Sequence, residues 1–154
     1  MSISLESHVA LRTENIREAE DYYCHLFDLR VAWRETETPE GWRRLPSGKT
    51  WEDAELAGIQ LEIVMLHRDG LALALERVSS VHAGGCLSHI GLLVDKEELI
   101  KLRGSISKFG CNLVHDSDIT LVFDDRFGVR WEPSLNDFSD PSKIGDRPER
   151  MLNF

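Results

Sequence analysis

Two histidines with possible metal-binding chemistry begin similar segments in the two halves of this chain. His8 precedes Val-Ala-Leu-Arg and His89 precedes Ile-Gly-Leu-Leu, and a helical pattern follows each segment. Imidazole is a common metal ligand, so the repeat places one potential ligand at the same point in both copies. A histidine at the start of a strand can equally be an ordinary hydrogen-bonded residue. The repeat alone therefore raises the metal hypothesis without deciding it.

Alternation along the predicted strands indicates which other side chains share a face with the histidines. Side chains along a strand point to opposite sides with a period of two, so Val9 and Leu11 should face away from His8. Four strands each combine a bulky apolar face with a face of small or ionisable residues. If those second faces point the same way, they line one cavity with six ionisable residues: His8, Arg12, Glu76, His89, Arg130 and Glu132.

Two imidazoles and one or two carboxylates make a mixed nitrogen and oxygen site. Such a donor set suits a divalent ion such as Fe, Mn, Ni, Co or Zn, and it can leave coordination positions open for a substrate. The alternatives are less specific. Arg12 and Arg130 can simply pair with carboxylates, or they can hold an anionic substrate group. Trp42 and Trp51 can roof the cavity as substrate contacts, or they can pack on their own half or on a second subunit.

The elements that would position these residues follow the same order in both halves. In the first half we predict a strand at about 7–13, a helix opened by Asn15 with Glu18, and a strand at about 29–36. A long charged loop over 37–58, with room for a short helical turn, leads to strands 59–66 and 71–78. The Asp69-Gly70 pair predicts the turn between them.

The register of that hairpin decides the place of one further carboxylate. Pairing Leu66 with Leu71 would put Glu62 opposite Leu75, on the helix side or at an edge, so Glu62 is left out of the candidate site.

The second half repeats the pattern after a small-residue linker. We predict a strand at 89–94, a helix capped by Asp95 and ended by Gly110, and strands at about 111–116, 119–124 and 128–134. The chain after Ser134 is polar and is expected to lie on the surface or on a partner subunit. Mixed strands and helices in this order indicate an α+β fold.

Composition limits the classes of function. The chain has 154 residues and a formal net charge of −9, which makes a nucleic-acid backbone a poor partner. Three cysteines argue against a closed disulfide framework. No apolar segment suits a membrane span and the N-terminus does not resemble a signal peptide, so we expect a cytoplasmic protein without a membrane or nucleic-acid partner.

Three segments together resemble the vicinal oxygen chelate superfamily, which includes glyoxalase I, extradiol dioxygenases, methylmalonyl-CoA epimerase and bleomycin-binding proteins. They are His8-Val-Ala-Leu-Arg12 running into Ile16 to Leu29, His89-Ile-Gly-Leu-Leu-Val-Asp95, and Phe123-Asp-Asp-Arg-Phe-Gly-Val-Arg-Trp-Glu132. The last segment is similar to the family's Asp-x-x-Gly-x-x-x-Glu ending.

The resemblance implies two tandem βαβββ modules that form a curved mixed sheet around a central cavity, with the helices on the outer face. Module 1 would span about 7–78 and module 2 about 88–134, within one domain at 1–134 that is followed by a tail at 135–154.

Carried over by position, the resemblance assigns metal ligands to His8, His89 and Glu132. The fourth family position falls on Ala74, and Glu76 lies two residues later on the same face, so Glu76 is either a fourth ligand, a catalytic base or neither. Arg12 matches the arginine that glyoxalase I uses toward the glutathione carboxylate.

The function implied first is a glyoxalase-like, metal-dependent lyase or isomerase acting on a small substrate with vicinal oxygens, in which Glu76 or Glu132 would move a proton. An extradiol-type dioxygenase with Fe(II) is the alternative if Glu76 stays off the metal. A metal-free protein that binds an antibiotic or an aromatic compound is a third. The family also makes a homodimer the expected assembly.

Overall fold

The computed structural model describes residues 8–69, 71–81, 85–125, 128–138 and 148–154. Gly70 of the predicted hairpin turn, Arg126 and Phe127 of the closing motif, and positions 139–147 of the tail lie outside those residues. The elements appear in the predicted βαβββ order, with one additional strand and a short helix in the first half.

The first half contains five strands and two helices: β1 (His8–Thr13), α1 (Ile16–Phe27), β2 (Arg30–Thr38), β3 (Gly41–Arg44), α2 (Trp51–Leu56), β4 (Ile63–Arg68) and β5 (Leu71–Arg77). The second half contains β6 (Leu87–Leu93), α3 (Lys96–Ser105), a 3-10 turn (Ile106–Phe109), β7 (Asn112–Asp116), β8 (Leu121–Asp124) and β9 (Arg130–Ser134). No helix in the described ranges is long and apolar enough to cross a membrane.

The two larger helices begin where the sequence predicts, and the second helical region, α3 with its 3-10 turn, also ends at the predicted residue. The side chain of Asn15 accepts a hydrogen bond from the Glu18 amide at 3.2 Å, and Asp95 accepts one from the Glu98 amide at 2.8 Å. These caps satisfy backbone donors that have no partner within the helix. Gly110 ends the second helical region in the left-handed conformation, with φ of 71°.

The nine described strands form one mixed sheet in the order β3-β2-β4-β5-β1-β6-β9-β8-β7. Within the first half β1 runs parallel to β5, and within the second half β6 runs parallel to β9. The halves meet where β1 and β6 pair in antiparallel orientation. The first strand of each module therefore lies at the centre of the sheet, and each carries one of the two histidines.

The sheet has a helix face and a second face, called here the histidine face. On the helix face of the first half, Ile16 and Leu29 pack on the buried side chains of Val64, Leu66 and Leu75. Leu99, Ile106 and Leu121 make the corresponding core of the second half. The helices thus cover one side only, as an α+β architecture with outer helices requires.

On the histidine face, Ala10, Ala72 and Ala74 are buried together with Trp33 and Met65. These residues alternate along their strands with the residues of the helix face, in agreement with the predicted pattern.

The segment predicted as a long loop contains more regular structure than expected. β2 continues to Thr38, and after a turn at 39–40 the chain enters β3, whose residues pair with Glu35 to Thr38. The charged residues of this segment concealed β3, because it is the edge strand of the sheet and edge strands tolerate charged side chains. The short helical turn is present as α2, which Thr50 and Asp53 cap reciprocally.

The hairpin register differs from the prediction by two residues. Leu66 pairs with Leu73 rather than Leu71, and Arg68 pairs with Leu71, so the turn has two residues instead of four. A two-residue turn needs positive φ, and Asp69 has a φ of 46°. Because a shift by two residues preserves the face, Glu62 still lies away from the histidines, where it accepts hydrogen bonds from Thr36 and the Glu37 amide.

The described parts of the C-terminal segment pack on the same chain. Phe138 joins the apolar cluster on the histidine face. Farther along, Met151 forms a bridge with Arg44 of β3, and Leu152 is buried with Leu45 and Leu61.

Candidate metal centre

Strand register brings His8, His89 and Glu132 together on the histidine face. His8 and Glu132 each pair with Gly91, from opposite sides of β6, and His89 is the next residue of β6 on that face. Gly91 carries no side chain between them, so the two flanking side chains can approach each other above it. The ligand atoms lie within 4.8 Å of one another.

The distances within this cluster are short. The Nε2 atoms of His8 and His89 lie 2.7 Å apart, and Nε2 of His89 lies 2.9 Å from Oε2 of Glu132. His8 Nε2 is 4.0 Å from the same carboxylate oxygen. His8 is only 5% exposed, so the ligand atoms converge in a largely desolvated site.

A β-bulge provides the outer support for His89. Ala10 pairs with His89 but Leu11 pairs with Leu87, which leaves Ser88 as an extra residue on β6. The Ser88 hydroxyl donates to Glu76 at 2.5 Å and lies 3.1 Å from Nδ1 of His89. Glu76 Oε1 is 3.3 Å from the same Nδ1.

The predicted site residue Glu76 therefore approaches His89 from the nitrogen opposite to the ligand nitrogen. A carboxylate on the outer nitrogen of a ligating histidine fixes its tautomer and its orientation.

Burial and charge act differently on the two imidazoles. Burial lowers the pKa of His8 to about 4, although the charges of Glu132 and Glu76 oppose this change. Burial also disfavours charge on His89, but the hydrogen bonds and charges of Glu132 and Glu76 outweigh it and raise the pKa of His89 to about 9. At neutral pH His8 is therefore uncharged, whereas His89 is protonated on both ring nitrogens.

The donor set fits a divalent transition metal. The neutral His8 presents a lone pair, and a metal ion would neutralise the carboxylate as the His89 proton does here. Two imidazoles and one carboxylate also match the ligand preferences of Fe, Mn, Co, Ni and Zn. Within the described chain, His8, His89 and Glu132 are the group of three that converges in this way.

The two arginines of the predicted site lie near its margin. Arg12 pairs with Glu76 in the β1–β5 register, and its Nη1 donates to the Leu87 carbonyl at 3.0 Å. Arg130 makes a two-pronged ion pair with Asp124, at 2.7 and 3.0 Å. The arginines are thus held in place by groups outside the His8, His89 and Glu132 cluster.

The structure does not bring the two predicted tryptophans to this cluster. Trp51 lies on the helix side, where its indole nitrogen donates to Glu20 at 3.1 Å and Arg34 stacks on its ring at 5.4 Å. Trp42 lies on the edge strand β3, four strands from β1, and is 40% exposed.

Three residues beside the cluster were missed by the sequence analysis. Ser88 immediately precedes His89 and should face the other way in a regular strand, so its role depends on the bulge. Trp33 of β2 lies farther away on the histidine face, where it packs with the alanines and with Phe138. Phe138 lies in the polar segment after the last strand, and its ring is 5.0 Å from the ring of His8.

No family model and no curated protein matches this chain. Solved structures do match it. A 2,3-dioxygenase, LapB, from Pseudomonas sp. KL28 has a TM-score of 0.56 at 15% identity, over 86% of this chain and 42% of the dioxygenase chain. A hypothetical protein from Bacillus halodurans has a TM-score of 0.54 at 14% identity, over 87% of this chain and 94% of its own.

A third match is a methylmalonyl-CoA epimerase from Streptomyces coelicolor in complex with 2-nitronate-propionyl-CoA. Its TM-score is 0.50 at 12% identity, over 86% of this chain and 94% of the epimerase. At identities this low, the similarity establishes the fold of this chain and nothing about its substrate.

Proposed function

We propose that this chain, which has the vicinal oxygen chelate fold, is a metal-dependent enzyme that binds a small substrate through two adjacent oxygens. The convergence of His8, His89 and Glu132 within 4.8 Å is the observation that carries this proposal. When bound, the ion would act as a Lewis acid on the substrate oxygens. A three-residue ligand set leaves coordination positions free for those oxygens.

The protein's own residues would then hold and orient the centre. His8 binds through its neutral ring, and the Glu132 carboxylate supplies the negative charge. Glu76, fixed by the Ser88 hydroxyl, accepts from Nδ1 of His89 and so keeps Nε2 directed to the ion. Arg12 and Arg130 both interact electrostatically with Glu76 and would add positive charge at the rim for an anionic substrate group.

The surroundings of Glu76 favour the dioxygenase alternative over the glyoxalase-like lyase or isomerase that the sequence places first. Proton transfer needs a carboxylate that can reach a substrate C–H bond. Both oxygens of Glu76 already have partners, namely Ser88 and His89. A centre of two histidines and one carboxylate with open positions is typical of oxygen-using Fe(II) enzymes.

Metal analysis tests the first part of the proposal. Protein that has been dialysed against Fe(II), Mn, Co, Ni or Zn should retain one ion per chain, whereas His8→Ala and Glu132→Ala should retain none. Glu62→Gln is the matched control, because Glu62 lies on the other side of the sheet and should leave retention unchanged. Wild-type protein that holds none of these ions would contradict the proposal and favour a metal-free binding protein.

Oxygen uptake tests the choice of reaction. The Fe(II)-loaded protein should consume oxygen when it is given compounds with two adjacent hydroxyls on an aromatic ring. Turnover of a hemithioacetal without oxygen uptake would instead support the lyase or isomerase.

The expected homodimer is a separate proposal that rests on the family resemblance. Light scattering during size-exclusion chromatography should give twice the chain mass, and a monomeric mass would contradict it.

A further inference from the structure

A floor of small side chains lies beside the metal centre on the histidine face. In the register of the sheet, Ala10 of β1 pairs with Ala74 of β5, and Ala74 pairs with Met65 of β4. The row continues from Met65 to Trp33 of β2, while on the other side Ala10 pairs with His89. Methyl groups on two adjacent strands leave a depression, because the larger side chains stand at its two ends.

The ring of Phe138 fills this depression. It meets the ring of His8 edge to face, with the centroids 5.0 Å apart and the planes at 74°, and it lies 6.5 Å from the Trp33 ring. It also packs against the buried cluster that contains the alanines. Apart from the His8 ring, the side chains around the Phe138 ring are apolar, which suits a flat apolar group.

The chain is fastened on both sides of Phe138 by contacts outside the floor. Before it, the Leu135 amide donates to the Ile119 carbonyl at 2.9 Å. After it, the Leu152 amide donates to the Arg44 carbonyl at 2.7 Å. Neither of these two contacts is made with the floor itself.

We propose that this alanine floor is a binding subsite for a flat apolar ring, and that Phe138 is its internal occupant, which a ligand ring must displace. The subsite adjoins His8, so a ligand whose ring lies on the floor has its edge beside the metal centre. The C-terminal segment then competes with the ligand for the same place. This competition weakens binding: the apparent Kd of the ligand equals its intrinsic Kd divided by the fraction of molecules in which the floor is free.

Toluene binding to the metal-free protein tests this subsite. Because no ion is involved, the result is independent of the test of the metal centre. Phe138→Ala should bind toluene more tightly than the wild type, by about tenfold or more if the floor is free in a tenth of wild-type molecules or fewer. In the wild type, saturating toluene should abolish the nuclear Overhauser contact between the rings of Phe138 and His8.

Phe154→Ala is the matched control, since it removes a phenyl ring from the same segment at a place where it contacts Lys49 rather than the floor. It should bind toluene as the wild type does. Refilling the floor with Ala74→Leu in the Phe138→Ala background should abolish the gain. If Phe138→Ala does not fold, Phe138→Leu should give a smaller gain of the same sign.

Equal toluene affinity in the wild type and a folded Phe138 variant would overturn the proposal. So would a gain that persists with Ala74→Leu, or a Phe138 to His8 contact that survives saturation.

Discussion

Glu76 contacts Nδ1 of His89, whereas Glu132 contacts Nε2, the nitrogen that faces the proposed metal position. Glu76→Gln should therefore weaken metal binding by about 10–100-fold without changing the stoichiometry of one ion per chain. Competition with a chromogenic chelator measures the affinity, and elemental analysis measures the stoichiometry. If Glu76→Gln instead loses the ion as completely as Glu132→Gln does, Glu76 is itself a metal ligand.

Glu35 is a partly buried carboxyl on the histidine face of β2, in register with Arg44. Burial raises its pKa above the ordinary value of 4.5, and the charge of Arg44 only partly offsets this. Because the folded state holds the proton more tightly, the contribution of Glu35 to stability falls as pH rises from about 4.5 through the raised folded-state pKa.

Glu35→Gln should remove that dependence on pH. The variant should be at least as stable as the wild type at neutral pH, and the two should converge below about pH 4.5. Urea unfolding across this pH range measures the difference. A variant that is less stable than the wild type at neutral pH would show that the charge of Glu35 is net favourable through Arg44.

At the scale of single residues, the sequence predicted which candidate ligands converge but not the residues that support them. His8, His89 and Glu132 fall on one face because regular strands alternate. Ser88 lies next to His89 in sequence, and its hydroxyl contacts Glu76 and His89 only because of the bulge. No residue pattern in β6 predicts that bulge. The sequence left open whether Trp51 roofs the cavity or packs on its own half, because an aromatic residue in a loop does not reveal which side of the sheet it will cover.

Among the elements, β6 carries the residue that separates the ligands. Gly91 lies between His8 and Glu132 in register, on the face where both side chains project. Gly91→Val should abolish metal retention, because its side chain would project between the two ligands, while β6 gains a residue that favours strands. Elemental analysis together with circular dichroism separates loss of the ion from loss of the fold. Undiminished metal retention would contradict this geometry.

The contact of α1 with β2 and α2 depends on one buried carboxylate. Glu20 of α1 accepts two hydrogen bonds from Arg34, at 2.6 and 2.7 Å, and one from the Trp51 indole. Glu20→Ala should cost about 2–4 kcal/mol in the free energy of unfolding, because a largely buried guanidinium loses its partner.

Glu55→Ala is the control for that experiment. Glu55 pairs with Arg17 on the surface, so its removal should change little. Similar losses in the two variants, measured by urea unfolding, would contradict the role of Glu20.

Element order and helix ends could be predicted because caps and apolar periodicity are local properties. The hairpin register could not be derived in the same way, since Asp69-Gly70 permits a turn but strand pairing determines how many residues it takes. β3 was missed because its four residues, Gly41 to Arg44, lack an apolar alternation.

Across the whole molecule, the C-terminal segment ties the last residues to the first module. Leu152 is 9% exposed and packs with Leu45, Ala54 and Leu61. Leu152→Ala should lower the free energy of unfolding by about 2 kcal/mol, near the lower end for a buried leucine because this side chain keeps some exposure. Leu56→Ala, at a position that is 89% exposed, should have no comparable effect in the same urea titration. Equal losses would show that the segment adds nothing to the fold.

The antiparallel pairing of β1 with β6 has a consequence for assembly. His8 comes from the first half of the chain, while His89 and Glu132 come from the second half. An ion bound by all three would therefore link the two halves. If the chain is cut between Val81 and Gly85 and the pieces are purified separately, neither should retain the ion. Mixed together, they should recover it in proportion to their reassociation, and the ion should in turn tighten that reassociation by mass action.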